Sequence, residues 1–184
     1  MKTALHIPDS ERLRYRLMGA SDAPLLFELD QDPVVMEFLN YGKPSTWEDI
    51  EQYFVPRIEA FTDPATGCSL WEVADKENDE YLGWILVRQY GFDTHYHAAD
   101  NIELGWRLKQ HCWGKGIATE AAQAIVDVLR DKPEVNCFSA IADEKNYGSI
   151  GVMRKLGMQF VDNRIHHTPK GDFPVAYYEM PATF

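Results

Sequence analysis

Hydrophobic and polar positions divide the chain into segments of period two and segments of helical period. Arg12 to Met18 alternates basic and apolar residues, the pattern of an opening strand. Ser21-Asp22 offers an N-cap with Pro24 in the first turn, and Leu25, Leu26 and Leu29 follow at helical spacing until Asp32-Pro33 breaks the run. A second helix begins at Ser45 or Thr46, where Glu48 and Asp49 suit the positive end of the dipole. Its apolar stripe is Ile50, Phe54, Ile58 and Phe61, and Asp63-Pro64 ends it. Leu70 to Ala74 and Tyr81 to Tyr90 predict two strands joined by the polar turn Asp75 to Glu80. A loop with Asp93, His95, His97 and Asp100 follows. Residues 102–108 then alternate, with Ile102, Leu104, Trp106 and Leu108 on one face and Glu103, Gly105 and Arg107 on the other.

A long helix is expected from near Gly116, because Ile117, Ala121, Ala124, Ile125, Val128 and Leu129 share one face and Pro133 lies just past its end. Val135 to Ala142 predicts a strand, and Asn146 to Leu156 a helix stopped by Gly157. Gln159 to Arg164 and Val175 to Met180 predict a closing hairpin across a loop containing Pro169-Lys170-Gly171. The order β-α-α-β-β-β-α-β-α-β-β mixes hairpins with helix-connected strands. It predicts an α/β chain with one mixed sheet and helices on both faces, not the strict βαβ alternation of a doubly wound nucleotide-binding fold. No repeat, low-complexity tract or linker interrupts it, so residues 1–184 are expected to form one domain.

Composition refines this picture only slightly. Apolar residues make up 45% and charged residues 26%, so the chain has core material and is not of a disordered class. The net charge of −11 repels nucleic-acid backbone and anionic lipid, and nucleic acid and membrane are excluded as expected partners; cationic amines suit such a surface. Cys68, Cys112 and Cys137 are widely spaced and odd in number, which supports neither a disulfide framework nor a zinc knuckle. Met1 to Met18 holds charges and a proline in place of an apolar signal, and the longest apolar run, Trp84-Ile85-Leu86-Val87, is too short to span a bilayer. A reduced, soluble, cytoplasmic protein is expected, monomeric or homodimeric.

The segment richest in chemistry is Leu108-Lys109-Gln110-His111-Cys112-Trp113-Gly114-Lys115-Gly116-Ile117-Ala118-Thr119-Glu120-Ala121. A strand ends, two glycines flank a lysine, and a helix begins. Glycine allows close backbone approach to an anion, and the unpaired first amides of a helix point at it with the dipole's help. Lys115 adds a local positive charge. Three readings compete: a plain glycine turn, a dinucleotide loop, and a resemblance to a known family. For the second, the third glycine is missing, since Thr119 stands in its place, and a Walker loop fails for want of GK[ST] after a GxxxxG frame.

The sequence resembles the GNAT superfamily of N-acetyltransferases, and within it the branch of ribosomal-protein N-terminal acetyltransferases. The family's cofactor signature, Gln/Arg-x-x-Gly-x-Gly/Ala, is matched by Trp113-Gly114-Lys115-Gly116-Ile117-Ala118, with tryptophan first as in that branch's WGxGxAxEA run. Arg12-Leu13-Arg14-Tyr15-Arg16 with Ser21-Asp22-Ala23 is similar to the branch's opening strand and first helix. Asn146-Tyr147-Gly148-Ser149 with Val152 to Met158 is similar to its NxxSxxVxxKLGF segment, with Met158 where phenylalanine is usual.

The resemblance implies a mostly antiparallel sheet of about seven strands, splayed between the fourth and fifth. It implies acetyl-CoA as cosubstrate, no metal, and direct transfer to a primary amine, either a protein N-terminus or a small molecule. Backbone of Trp106, Arg107 and Leu108 would meet the pantetheine arm and the oxyanion, and the amides from Trp113 through Gly114, Lys115, Gly116, Ile117 and Ala118 to Thr119 the pyrophosphate. Asn146 would pair with pantetheine or nearby backbone. Glu103 is the expected base, against a solvated or Arg107-paired strand carboxylate. Ser149 is the expected acid for the leaving thiolate, against a helix-capping serine, with Tyr147 as a rival.

Other residues are weighed against blander roles. Cys112 has no paired base in sequence and is expected to be a spectator thiol. His95-x-His97 lacks further ligands and suits a polar loop better than a metal pair. His166-His167 lines a substrate mouth or faces water. Acceptor choice is expected from the first two helices, the loop after Tyr90 and the loop Thr168 to Pro174. Trp47, Tyr53, Phe54, Phe92, Tyr96 and Phe173 are candidates for an aromatic wall, with Phe54 better placed as core. A non-catalytic acyl-CoA-binding module and a nucleotide-dependent oxidoreductase are the alternatives.

Overall fold

The computed structural model describes residues 4–92, 94–168 and 171–183. Met1 to Thr3 of the opening stretch, Asp93 of the loop after Tyr90, and Pro169-Lys170 of the hairpin loop lie outside them.

Seven strands build one sheet: β1 (Leu13–Leu17), β2 (Ser69–Asp75), β3 (Tyr81–Tyr90), β4 (Ala98–Leu108), β5 (Cys137–Ala142), β6 (Gln159–Thr168) and β7 (Gly171–Pro181). Their order in space is β1-β2-β3-β4-β5-β7-β6, antiparallel throughout except for the parallel pair β4–β5. One face carries α1 (Ala23–Leu29) and a second helical stretch, α2 (Trp47–Asp49) running on into α3 (Val55–Phe61). The other carries α4 (Ile117–Leu129) and α5 (Tyr147–Lys155).

Alternation along the strands sorts side chains between these two layers. On β3, Ile85 and Val87 join Leu104, Ile125, Phe138 and Met153 in the core under α4 and α5. Trp84 faces the opposite way, with Leu26, Ile50, Ile58 and Phe61. On α4 the fully buried positions are Ile117, Ala121, Ala122, Ile125, Val126 and Leu129, while Ala124 and Val128 of the expected stripe are only partly covered. A helix laid flat on a sheet buries a broad face, which brings in Ala122 and Val126 beside the narrow stripe.

The second helical stretch starts as expected. Thr46 Oγ1 accepts from the Asp49 amide at 3.0 Å, and Asp49 Oδ2 accepts from the Thr46 amide at 2.8 Å, a reciprocal cap. Between α2 and α3 the chain widens into a π turn over Ile50–Phe54, where the Val55 amide reaches back to the Ile50 carbonyl. Pro56 sits two residues past its end, and its ring cannot fit against an ordinary preceding helical turn.

One local feature differs from expectation. The predicted loop Thr168 to Pro174 is largely strand, because β6 and β7 stay paired from Gln159↔Glu179 to Thr168↔Gly171. Pro174 is tolerated there since β7 meets β5 only from Ala176 onward, so no ladder amide is missed. The tip of this hairpin therefore projects beyond the end of β5. It reaches the other side of the sheet's gap, where Phe173 packs 4.7 Å from the Tyr41 ring and Arg164 donates to the Tyr90 hydroxyl at 2.9 Å.

The gap itself is what positions the site. β4 and β5 pair only at Asn101↔Cys137, Ile102↔Phe138 and Glu103↔Ser139. Beyond Glu103 the two strands part, leaving the β5-facing edge of Leu104–Leu108 without a ladder. A buried polar network closes the joined end: Ser139 Oγ donates to Asn101 Oδ1 at 2.7 Å, Asn101 Nδ2 donates to the Tyr177 hydroxyl at 2.9 Å, and that hydroxyl donates to Glu179 at 2.9 Å.

Candidate active site

The glycine loop follows β4 at the open end of the gap. Gln110–Cys112 form a single 3₁₀ turn, and the Trp113 indole donates back to the Leu108 carbonyl at 3.0 Å, folding the loop onto its own strand. Gly114 and Gly116 then have φ of +71° and +77°, the left-handed region that other L-residues occupy at a cost. Gly116 is the N-cap of α4, and no side chain caps the helix. A Cβ built on Gly114 would meet nothing within 4 Å, and one on Gly116 only Arg12 Nη2 at 3.5 Å. The helix start is therefore open, as an anion cradle requires.

Arg12 and Glu120 hold this loop from outside, a pairing that sequence spacing did not reveal. Arg12 Nη1 donates to the Lys115 carbonyl at 2.9 Å and Nε to Glu120 Oε2 at 2.7 Å. Glu120 Oε1 also accepts from Ser10 Oγ at 2.6 Å and from the Arg12 amide at 2.8 Å. Burial pushes the Glu120 carboxyl up, but these donors outweigh it and hold it below the usual glutamate value. A depressed folded value means that the carboxylate stabilises the fold fully above the ordinary glutamate range and loses that contribution as pH falls through it. Urea unfolding of wild type and Glu120→Gln is expected to show a stability gap that is constant near neutrality and shrinks below about pH 4.3. A gap independent of pH would remove the carboxylate from this role.

A cleft of about 730 Å³ opens from the loop and runs into the strand gap. Gly114, Gly116, Ile117, Ala118 and Thr119 line one end, Trp106, Arg107, Leu108, Asn146 and Ser149 the middle, and Val34, Phe38, Leu39, Trp84 and Leu86 the far side. Trp113 also lines it, half exposed. Lys115 is exposed and does not line the cleft; the lysines that do are Lys145 and Lys155, flanking and within α5. Lys155 is the lysine of the NxxSxxVxxKLGF-like segment, whereas Lys145 had no signal in the sequence beyond adjacency to Asn146.

Across the cleft, α5 presents its first turn. Asn146 caps it, with Oδ1 accepting from the Ser149 amide at 3.1 Å. Capping therefore falls to Asn146, and the Ser149 hydroxyl is left to accept from the Trp106 indole at 2.8 Å. That bond uses one lone pair of Oγ and leaves its proton to be donated elsewhere. Tyr147 stands at the rim, 78% exposed. Arg107 sends its side chain to the α1–α3 face, where it pairs with buried Asp30 and lies 5.0 Å from the Trp84 ring. Cys112 is buried, and burial raises its thiol above the ordinary value, the reverse of what a nucleophile needs.

Glu103 occupies the apex of the gap, the last β4 residue still paired with β5. It is 4% exposed, and both oxygens are held by Arg88, from Nε and Nη2, each at 3.0 Å. Its partner is thus Arg88 across the β3–β4 ladder rather than Arg107. Glu103 also lines a second, smaller chamber with Arg57, Arg88, Arg164, His166 and His167. Ile141 lines both cavities, so the chamber adjoins the cleft at the parting strands. Burial lowers the proton affinity of His166, with Glu103 opposing that and Arg88, Arg57 and His167 adding to it.

Of the proposed aromatic wall, Phe92 and Tyr96 line the chamber. Trp47 packs edge-on against Phe27, Phe54 packs against the α1–α3 core, and Phe173 stacks on Tyr41. His97 Nε2 pairs with Gln89 Oε1 at 2.7 Å, and among the described residues no group of three or more His, Cys, Asp or Glu side chains is arranged to hold a metal ion.

The mixed sheet is parted between two parallel strands, and an uncapped, glycine-opened helix stands at the mouth of the gap. Residues 12–159 match the model of the acetyltransferase (GNAT) domain, and the chain belongs to that family. It is 28% identical over 152 residues to the uncharacterized N-acetyltransferase p20 of Bacillus licheniformis, covering 82% of this chain and 80% of that protein. Its fold is similar to that of the aminoglycoside acetyltransferase AAC(6')-Ib solved with ribostamycin and coenzyme A, at TM-score 0.74, 19% identity, and coverage of 93% and 94%. It is also similar to RimL, a ribosomal L7/L12 α-N-protein acetyltransferase solved with coenzyme A, at TM-score 0.72, 15% identity, and coverage of 95% and 97%.

Proposed function

We propose that the chain transfers an acetyl group from acetyl-coenzyme A to a primary amine, by direct attack within a ternary complex. The observation that carries this is the cleft in which the open start of α4 and the unladdered edge of β4 meet, with the chamber at Glu103 adjoining it across Ile141. The solved neighbours that bind coenzyme A, and an aminoglycoside in one case, support it.

The residues fit the cosubstrate. The amides from Gly114 to Thr119, opened by two left-handed glycines, would hold the pyrophosphate, with Lys145 and Lys155 supplying charge along the same cleft. The β5-facing backbone of Trp106 to Leu108 would hydrogen-bond the pantetheine arm as a strand partner does. The thioester supplies an acyl group activated towards an amine.

Two side chains would handle protons. Glu103 keeps lone pairs beyond the two that Arg88 uses, and these would accept the amine's proton directly or through water. Ser149, oriented by Trp106, would give its proton to the departing thiolate. A second reading, a non-catalytic acyl-CoA-binding module, is favoured by one feature: the Arg88 fork gives Glu103 a structural occupation.

Coenzyme A release on an amine panel, run with wild type and Ser149→Ala, separates the two. Transfer is expected in wild type, with kcat about ten- to a hundredfold lower in the variant and coenzyme A affinity nearly unchanged. Full activity of the variant would move the acid role to Tyr147 or to water. Coenzyme A binding without transfer to any amine would favour the module.

A further inference from the structure

Resting on the acetyltransferase reading, we infer that the preferred acceptor is a small, singly charged amine on an alkyl or aryl body. That body lies along the apolar wall that the cleft presents on the α1–α3 face of the sheet.

The cleft crosses the sheet where β4 and β5 part, and its two sides differ in chemistry. On the α4–α5 side are the glycine loop, Lys145, Lys155 and the first turn of α5, which suit the cosubstrate. The opposite wall is Val34, Val35, Phe38, Leu39, Trp84 and Leu86. Val35, Trp84 and Leu86 pack with the α1–α3 core, so this wall belongs to the face away from the cradle.

The strand register aims the wall at the reacting end. On this face β3 and β4 pair as Trp84↔Arg107, Leu86↔Gly105 and Arg88↔Glu103. Leu86 lies against Gly105, where an added Cβ would meet Leu86 Cβ at 3.3 Å. An apolar strip therefore runs over Leu86 towards Glu103, the expected base. Trp84 and Val35 are buried, Leu86, Phe38 and Leu39 are half-buried, and Val34 is 40% exposed. That gradient suits an acceptor entering from solvent. An acyl chain anchored at the thioester gains most from a closed pocket, and this wall opens to water.

Charge disfavours a polycation. Among the described residues, the one carboxylate lining the cleft is Asp143, on the loop before α5. Arg107 stands beside the wall, paired with buried Asp30, which also accepts from Ser45 Oγ at 2.6 Å. A second ammonium would meet that guanidinium and no open carboxylate, and would lose its water for nothing. An alkyl or aryl group gains instead, by about three- to fourfold for each methylene it buries.

A length-matched series tests this in the wild-type enzyme with acetyl-coenzyme A. kcat/KM is measured for ethylamine, hexylamine, phenethylamine, the diamine of hexylamine's length, an aminoglycoside and a hydrophilic peptide. Hexylamine is expected to exceed ethylamine by at least about thirtyfold, with phenethylamine close to it, and the diamine by at least about tenfold. Val34→Asp sets a carboxylate on the exposed part of the wall. It is expected to narrow the gap between hexylamine and the diamine by about tenfold, with the coenzyme A dissociation constant unchanged. Equal turnover of ethylamine and hexylamine overturns the inference and leaves the acetyltransferase reading standing. So does a diamine, aminoglycoside or hydrophilic peptide that matches hexylamine, or an unmoved preference in Val34→Asp. On ethylamine, faster transfer from hexanoyl- than from acetyl-coenzyme A would give the wall to the acyl chain and overturn it likewise. Transfer to no amine at all overturns both.

Discussion

Gly116→Glu is expected to abolish measurable coenzyme A binding, lowering affinity by more than about a hundredfold. Three effects add in the same direction. The residue sits at φ +77°, where an L side chain costs roughly 1–2 kcal/mol. Its Cβ would project toward the open side of the loop, near only Arg12. A carboxylate there would repel the pyrophosphate in the place where unpaired amides and the dipole of α4 should attract it. Together these exceed about 2.7 kcal/mol, the equivalent of a hundredfold. Gly116→Ala carries the conformational cost without the charge and is expected to weaken binding by about tenfold. Titration calorimetry on both variants, with circular dichroism to establish folding, checks the pair; coenzyme A binding by a folded Glu variant at wild-type strength would contradict the cradle.

Glu103→Gln is expected to affect stability and turnover together, and the two effects can be told apart. The Arg88–Glu103 pair is buried at both ends, so removing the anion leaves an uncompensated guanidinium and costs about 3–5 kcal/mol. Loss of a positioned base lowers kcat by about 10²- to 10⁴-fold. Arg88→Gln breaks the same pair from the other side and leaves the carboxylate. It is expected to show a comparable loss of stability but to keep the acidic limb of the pH–rate profile, which Glu103→Gln should lose. Parallel losses of activity in both variants, with both limbs retained, would reduce Glu103 to the counter-ion of Arg88.

Most of the architecture was legible because burial imposes its period on the sequence. The clean alternation of Ile102 to Leu108 marks a strand with a helix layer on each side, and Thr46 with Asp49 marks a helix start. The glycine loop was legible for a related reason, since left-handed backbone at Gly114 and Gly116 demands that residue type. What escaped were contacts between distant segments. Arg12 and Glu120 are 108 positions apart, and Arg88 meets Glu103 only through the β3–β4 register. Arg107 was the alternative partner for Glu103 because the two share a strand face, but Arg107 is drawn to Asp30 and the Trp84 ring. The hairpin tip was misjudged because Pro174 signals a loop, and only the sheet order shows that its missing amide faces no neighbour there.

The cradle itself can be observed most directly by following backbone amide resonances of the 21.1 kDa chain during a coenzyme A titration. The largest shifts are expected at Gly114, Gly116, Ile117, Ala118 and Thr119, saturating at one equivalent. Binding that leaves those five amides unmoved while others shift would place the ligand elsewhere and contradict the account.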